Sequence, residues 1–135
     1  MTSRPPDTPP DAEPFVLIVD DNARNLTLAR DVLRAAGFRT HEATTGSRAL
    51  ALASEHLPDV VLLDLRLPDM DGIDVVRALR NQARTARIPV VALSALPRND
   101  DGWFLTAGFA GYLEKPIVVR EFPDEVRRYC RGAGA

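Results

Sequence analysis

The stretch Val60-Val61-Leu62-Leu63-Asp64 limits the fold more than any other. Four branched apolar residues lie between Pro58 and Pro68 and end in one carboxylate. The run is too short for an ordinary helix and is apolar at every position. That pattern fits a strand buried on both faces, as in a parallel sheet. Similar runs recur at Phe15 to Val19 and at Val90 to Leu93, with weaker ones at Arg39 to Ala43 and Gly111 to Leu113.

Helical stripes separate these runs. Leu26, Ala29, Val32, Leu33 and Ala36 form one apolar face, stopped by Gly37. A second helix is predicted to begin near Thr45 or Ser47, with Ala49, Leu50 and Ala53 inward. A third is predicted from Ile73 to Ala83, with Ile73, Val76, Leu79 and Ala83 inward. The last is expected from Val119 or Arg120 to Cys130, with Pro123 in its first turn and Phe122 and Val126 on the sheet. Between residues 97 and 108, Trp103, Phe104 and Ala107 suit a short helix. Asn99 to Gly102 suit a turn instead.

Strand and helix thus alternate five times. Right-handed crossovers then give a doubly wound, five-stranded parallel sheet with helices on both faces. The flavodoxin-like strand order 2-1-3-4-5 is the expected one. The folded domain is placed at residues 15–131. Residues 1–14 hold five of the eleven prolines and are expected to be a disordered tail.

Composition narrows the function. A net charge of −2, without a long run of one sign, offers no surface for nucleic acid or an anionic membrane. No apolar run approaches bilayer length. The single cysteine, Cys130, excludes an internal disulfide framework and fits a reducing cytoplasm.

In a parallel sheet, the strand ends share one edge. Asp20 and Asp21, Asp64, Ser94 and Lys115 all fall at such ends. Gathered carboxylates repel one another and resist ionising together without a cation. A hard divalent ion such as Mg²⁺ takes oxygen ligands of this kind. Asp21 and Asp64 are the candidate direct ligands, with Asp20 direct or through water. Lys115 adds positive charge and Ser94 a hydroxyl. Such a set suits phosphoryl transfer to a carboxylate, and Asp64, alone after the most buried strand, is the candidate nucleophile.

Asp20-Asp21, Asp64 followed by Pro68 and Gly72, Ser94-Ala95, and Tyr112 three residues before Lys115-Pro116 resemble the receiver domain of two-component response regulators, of the stand-alone cell-cycle type. The likeness runs from about Val16 to Cys130. It implies that Asp64 accepts a phosphoryl group from a histidine kinase or phosphotransfer protein. It also implies that Asp20, Asp21, Asp64 and the backbone carbonyl of Arg66 surround Mg²⁺. Lys115 would pair with the phosphoryl group, Ser94 would swing to hydrogen-bond it, and Tyr112 would rotate inward as a switch. The Lys115-Pro116 peptide would be cis. Output would pass to a downstream effector protein, and a homodimer through the last two elements is one form it can take.

Three other readings compete. A phosphatase of the haloacid-dehalogenase type also places an aspartate nucleophile after a parallel strand, but it usually carries a second carboxylate two residues on, where this chain has Arg66. A flavin carrier would bring a phosphate against Asp20-Asp21, which repel it. A receiver-like module that binds without phosphorylation has no need of the intact acidic set. Asp69 and Asp71 read as turn residues, and His41 and His56 as surface or edge residues.

Overall fold

A computed structural model of the chain describes residues 14–95 and 103–130. Apart from Pro14, the expected tail lies outside the described residues, as does the predicted turn at 99–102. Five strands are present: β1 (Phe15–Val19), β2 (Arg39–Ala43), β3 (Val60–Asp64), β4 (Val90–Ser94) and β5 (Gly111–Glu114). All neighbours are parallel, in the order β2-β1-β3-β4-β5. The helices are α1 (Ala23–Ala35), α2 (Gly46–His56), α3 (Gly72–Arg80), α4 (Trp103–Ala107) and α5 (Phe122–Tyr129).

The continuous apolar runs follow from burial on both faces. Along β1 and β3, Leu17, Val19, Val61 and Leu63 pack on one side, with Ala49 and Leu52 of α2 and Val75, Val76 and Leu79 of α3. Val16, Ile18, Val60 and Leu62 pack on the other, with Leu26, Ala29 and Leu33 of α1 and Phe122 and Val126 of α5. Fully burying a side chain of this size stabilises by roughly 1.5–3 kcal/mol.

Caps set the helix ends. The Asn22 side chain accepts hydrogen bonds from the backbone N–H groups of Arg24 and Asn25 and starts α1. Gly37, at φ 95°, takes the left-handed turn beyond its end. Thr45 accepts from the Arg48 N–H and starts α2.

Several helix assignments need correction. In α2 Ala49 and Ala53 are buried and Leu50, half-buried, packs against the same core as predicted; Leu52 is a further buried residue that the prediction did not name. The third helix ends at Arg80, three residues short of the predicted Ala83, which is exposed. Two side chains explain this. The Thr85 hydroxyl donates to the carbonyl of Leu79 at 2.6 Å, and the Arg80 guanidinium donates to the carbonyls of Ala86, Ile88 and Gly108. They draw the chain after α3 back toward β4. α4 is a single short helix of five residues, and α5 starts at Phe122 with Pro123 in its first turn.

Gly72 opens α3 beneath the end of β3. A Cβ there would lie 2.9 Å from the backbone Cα of Leu65 and 3.0 Å from the Asp64 carbonyl. Gly72→Ala is therefore expected to shift the backbone just after Asp64 and to destabilise the fold by about 1–3 kcal/mol. Urea unfolding checks this; an unchanged midpoint would show that the loop yields without strain.

Candidate functional site

The parallel register brings distant residues to one edge. Val19 pairs with Leu63, and Asp64 pairs with Leu93, so the chain ends after β1, β3 and β4 lie side by side. Asp20 and Asp21 leave β1, Asp64 closes β3, Ser94 closes β4, and Lys115 follows β5.

Asp20 is 1% exposed, yet its carboxylate is well satisfied. One oxygen accepts from the Asn22 N–H at 2.9 Å. The other accepts from the Asn25 side-chain amide at 3.2 Å and from Lys115 Nζ at 2.8 Å. Asp64 is half-buried. Its Oδ1 accepts from the Arg66 N–H at 3.0 Å and its Oδ2 from Lys115 Nζ at 3.1 Å. One ammonium thus bridges two carboxylates, from residues 95 and 51 positions away. Asp21 is exposed and completes the group: one carboxylate oxygen from each of Asp20, Asp21 and Asp64 lies within 4.8 Å of the other two.

Burial pushes the Asp64 carboxyl above its ordinary value. The Arg66 N–H and Lys115 oppose the rise, and the neighbouring Asp20 charge adds to it. Burial works against the Lys115 charge as well, but hydrogen bonds and attraction from Asp20 and Asp64 outweigh it and hold the ammonium above its usual value. Three carboxylates with one ammonium, which pairs with two of them, leave the cluster negative. Its donors are all hard oxygens, close enough to share one ion, so the residues present fit a divalent cation.

The remaining predicted residues fall as follows. Ser94 is buried, and its carbonyl accepts from the Lys115 N–H at 2.7 Å, which sets β4 against the lysine. Tyr112 is buried in the core facing α3, its ring 5.8 Å from that of Phe104. It pairs with Ala92, two register steps before Ser94, so the two side chains project to the same face of the sheet. Arg66 is exposed, and the Lys115-Pro116 peptide is cis.

Two arrangements were not anticipated. Asp69 reaches across to the first turn of α2, accepting from the Gly46 N–H at 2.7 Å and from the Ser47 N–H and hydroxyl at 2.9 and 3.0 Å. His41 of the edge strand and His56 of α2 are exposed, as expected, but they pack together, with ring centroids 4.6 Å apart and Phe15 edge-on to both.

The response regulator receiver domain family matches residues 16–127. The chain is 36% identical over 119 residues to the polar-differentiation response regulator DivK of Brucella ovis, covering 87% of this chain and 97% of that protein. The chemotaxis response regulator CheY4 of Vibrio cholerae superposes with a TM-score of 0.82 at 27% identity, covering 87% of this chain and 99% of that one. The receiver domain of the Pseudomonas aeruginosa sensor histidine kinase PA1611, with a magnesium ion coordinated in its active-site cleft, gives 0.79 at 34% identity, covering 87% and 98%. The matched span takes in all of the sheet but Phe15, with the whole acidic edge, and the chain belongs to the response regulator receiver domains of two-component phosphorelay signalling.

Proposed function

We propose that Asp64 is the phosphoacceptor of this receiver and that Mg²⁺ is its cofactor. A carboxylate oxygen of Asp64 would attack the phosphorus of a phosphohistidine on a histidine kinase or phosphotransfer protein. The new O–P bond forms as the P–N bond breaks, and the imidazole leaves with the electron pair and takes up a proton. The observation that carries this reading is the Lys115 ammonium, 2.8 Å from Asp20 and 3.1 Å from Asp64. A cation so placed can follow the charge onto the phosphoryl oxygens. Asp20, Asp21, Asp64 and the carbonyl of Arg66 would hold Mg²⁺, which when bound supplies further charge compensation for those oxygens.

Ser94 would donate its hydroxyl to the phosphoryl group, and Tyr112, on the same face of β4 and β5, would follow it. Output would then be a change in protein contacts in the cytoplasm. Val118 and Val119, both 49% exposed between β5 and α5, support docking of an effector or a second copy there. The phosphatase reading is not favoured. Arg66 stands where its acid/base carboxylate belongs.

The test is an intact mass after incubation with acetyl phosphate. One added phosphoryl group is expected with Mg²⁺, and none with a chelator or in Asp64→Ala. No adduct on the folded wild type with Mg²⁺ would overturn the reading. Steady phosphate release without an adduct would move the phosphatase to first place.

A further inference from the structure

The loop between β3 and α3 carries the Arg66 carbonyl, and its two ends are tied together. The Arg66 N–H donates to Asp64 and the Gly72 N–H to the Leu65 carbonyl at 2.9 Å; Arg66 and Asp71 form an antiparallel bridge. Those ties close the loop at its base but leave its tip to find other support. The tip is Asp69-Met70, and both residues reach α2. Met70 packs so closely on Gly46 that a Cβ there would collide with its side chain. The Asp69 carboxylate takes three hydrogen bonds from Gly46 and Ser47, none longer than 3.0 Å. The Thr45 hydroxyl caps the same turn by accepting from the Arg48 N–H at 3.1 Å.

We propose that Asp69 is a positioning residue for the phosphorylation site. Its carboxylate braces the 65–71 loop against the first turn of α2 and so fixes where the Arg66 carbonyl stands. For the metal, this rests on the reading that Arg66 supplies a ligand; the brace itself rests only on the bonds above. Asp69 presents two acceptor oxygens to three donors, an arrangement a neutral amide cannot copy, because its NH₂ would face N–H groups. The charge also suits its place at a helix N-terminus. The Gly46 and Ser47 N–H groups, with burial working weakly against them, hold the carboxyl below its ordinary value, so the brace is ionised at neutral pH.

Asp69→Asn and Thr45→Ala separate a brace from a simple cap, since both weaken the start of α2 but only the first releases the loop. Two measurements decide it. In the metal-free protein, amide hydrogen exchange at Arg66 and Gly72 is expected to quicken in Asp69→Asn and to stay as wild type in Thr45→Ala. In Mg²⁺ titrations followed by calorimetry, Asp69→Asn is expected to bind about tenfold more weakly, in keeping with the loss of an outer-shell partner. Thr45→Ala is expected to bind as wild type. Unchanged exchange in Asp69→Asn, or equal changes in both variants, would overturn the brace. A wild type that binds no Mg²⁺ would instead overturn the reading of the site, and the metal-free exchange would still decide the brace.

Discussion

Asp64→Asn is expected to abolish phosphorylation and, at the same time, to make the metal-free protein more stable near neutral pH. The first effect is chemical, since an amide is no substitute for a carboxylate nucleophile. The second is electrostatic. Asp64 shares a cluster with Asp20 and Asp21, and burial raises its carboxyl above the ordinary value. The charged form is therefore disfavoured in the fold, and its neutral isostere is expected to gain on the order of 1 kcal/mol. Lys115 then pairs with Asp20 alone.

The pH dependence has a definite sign. A raised carboxyl in the folded state takes up its proton before the unfolded chain does as pH falls. Acidification through that window relieves the wild type, so the advantage of Asp64→Asn is largest near pH 7 and shrinks as pH falls through the raised folded-state value. Urea unfolding of both proteins in chelator at several pH values checks this. A variant less stable than wild type at pH 7 would mean that the Arg66 and Lys115 hydrogen bonds outweigh the burial of the charge.

Lys115→Ala is expected to slow phosphorylation by about 10²–10³, the loss typical of removing one preplaced group that stabilises developing charge. It also takes from Asp20, 1% exposed, its charged partner. Removing one partner of a buried pair typically costs about 3–5 kcal/mol. The Asn22 N–H and the Asn25 amide still serve Asp20, and Lys115 is itself 19% exposed, so about 2 kcal/mol is expected here. A divalent cation in the same cluster replaces the missing charge, so Mg²⁺ is expected to narrow the stability gap to wild type. Initial rates with acetyl phosphate and denaturant curves with and without Mg²⁺ measure both effects. A normal phosphorylation rate would remove Lys115 from the chemistry.

β1, β3 and β4 were legible because burial on both faces leaves no polar position until the strand emerges at an edge. Asp20, Asp64 and Ser94 stand where those runs stop, and a parallel sheet has only one such edge. Lys115 was legible because Pro116 marks the end of the last strand. What escaped the sequence was decided by side chains whose partners are far along the chain. The stripe through Ala83 continues at helical spacing, but Arg80 and Thr85 tie the following segment to carbonyls and end the helix early. Asp69 sits among turn residues, yet its partners lie 22 and 23 positions earlier in α2. Composition alone assigns such a residue to a turn; the contact exists only once α2 and α3 pack on the same face. The packing of His41 against His56 has the same origin, joining an edge strand to a helix end.

The most direct test of the central claim is to trap the acyl phosphate on the wild-type protein. Phosphorylation with Mg²⁺ and acetyl phosphate, followed by borohydride reduction, converts a phosphorylated aspartate to homoserine, which peptide mass spectrometry locates. Homoserine at position 64, and not at 20 or 21, is the predicted result, and it is expected to vanish when Mg²⁺ is chelated. Homoserine at another aspartate, or none on a folded protein with Mg²⁺ present, would contradict the account.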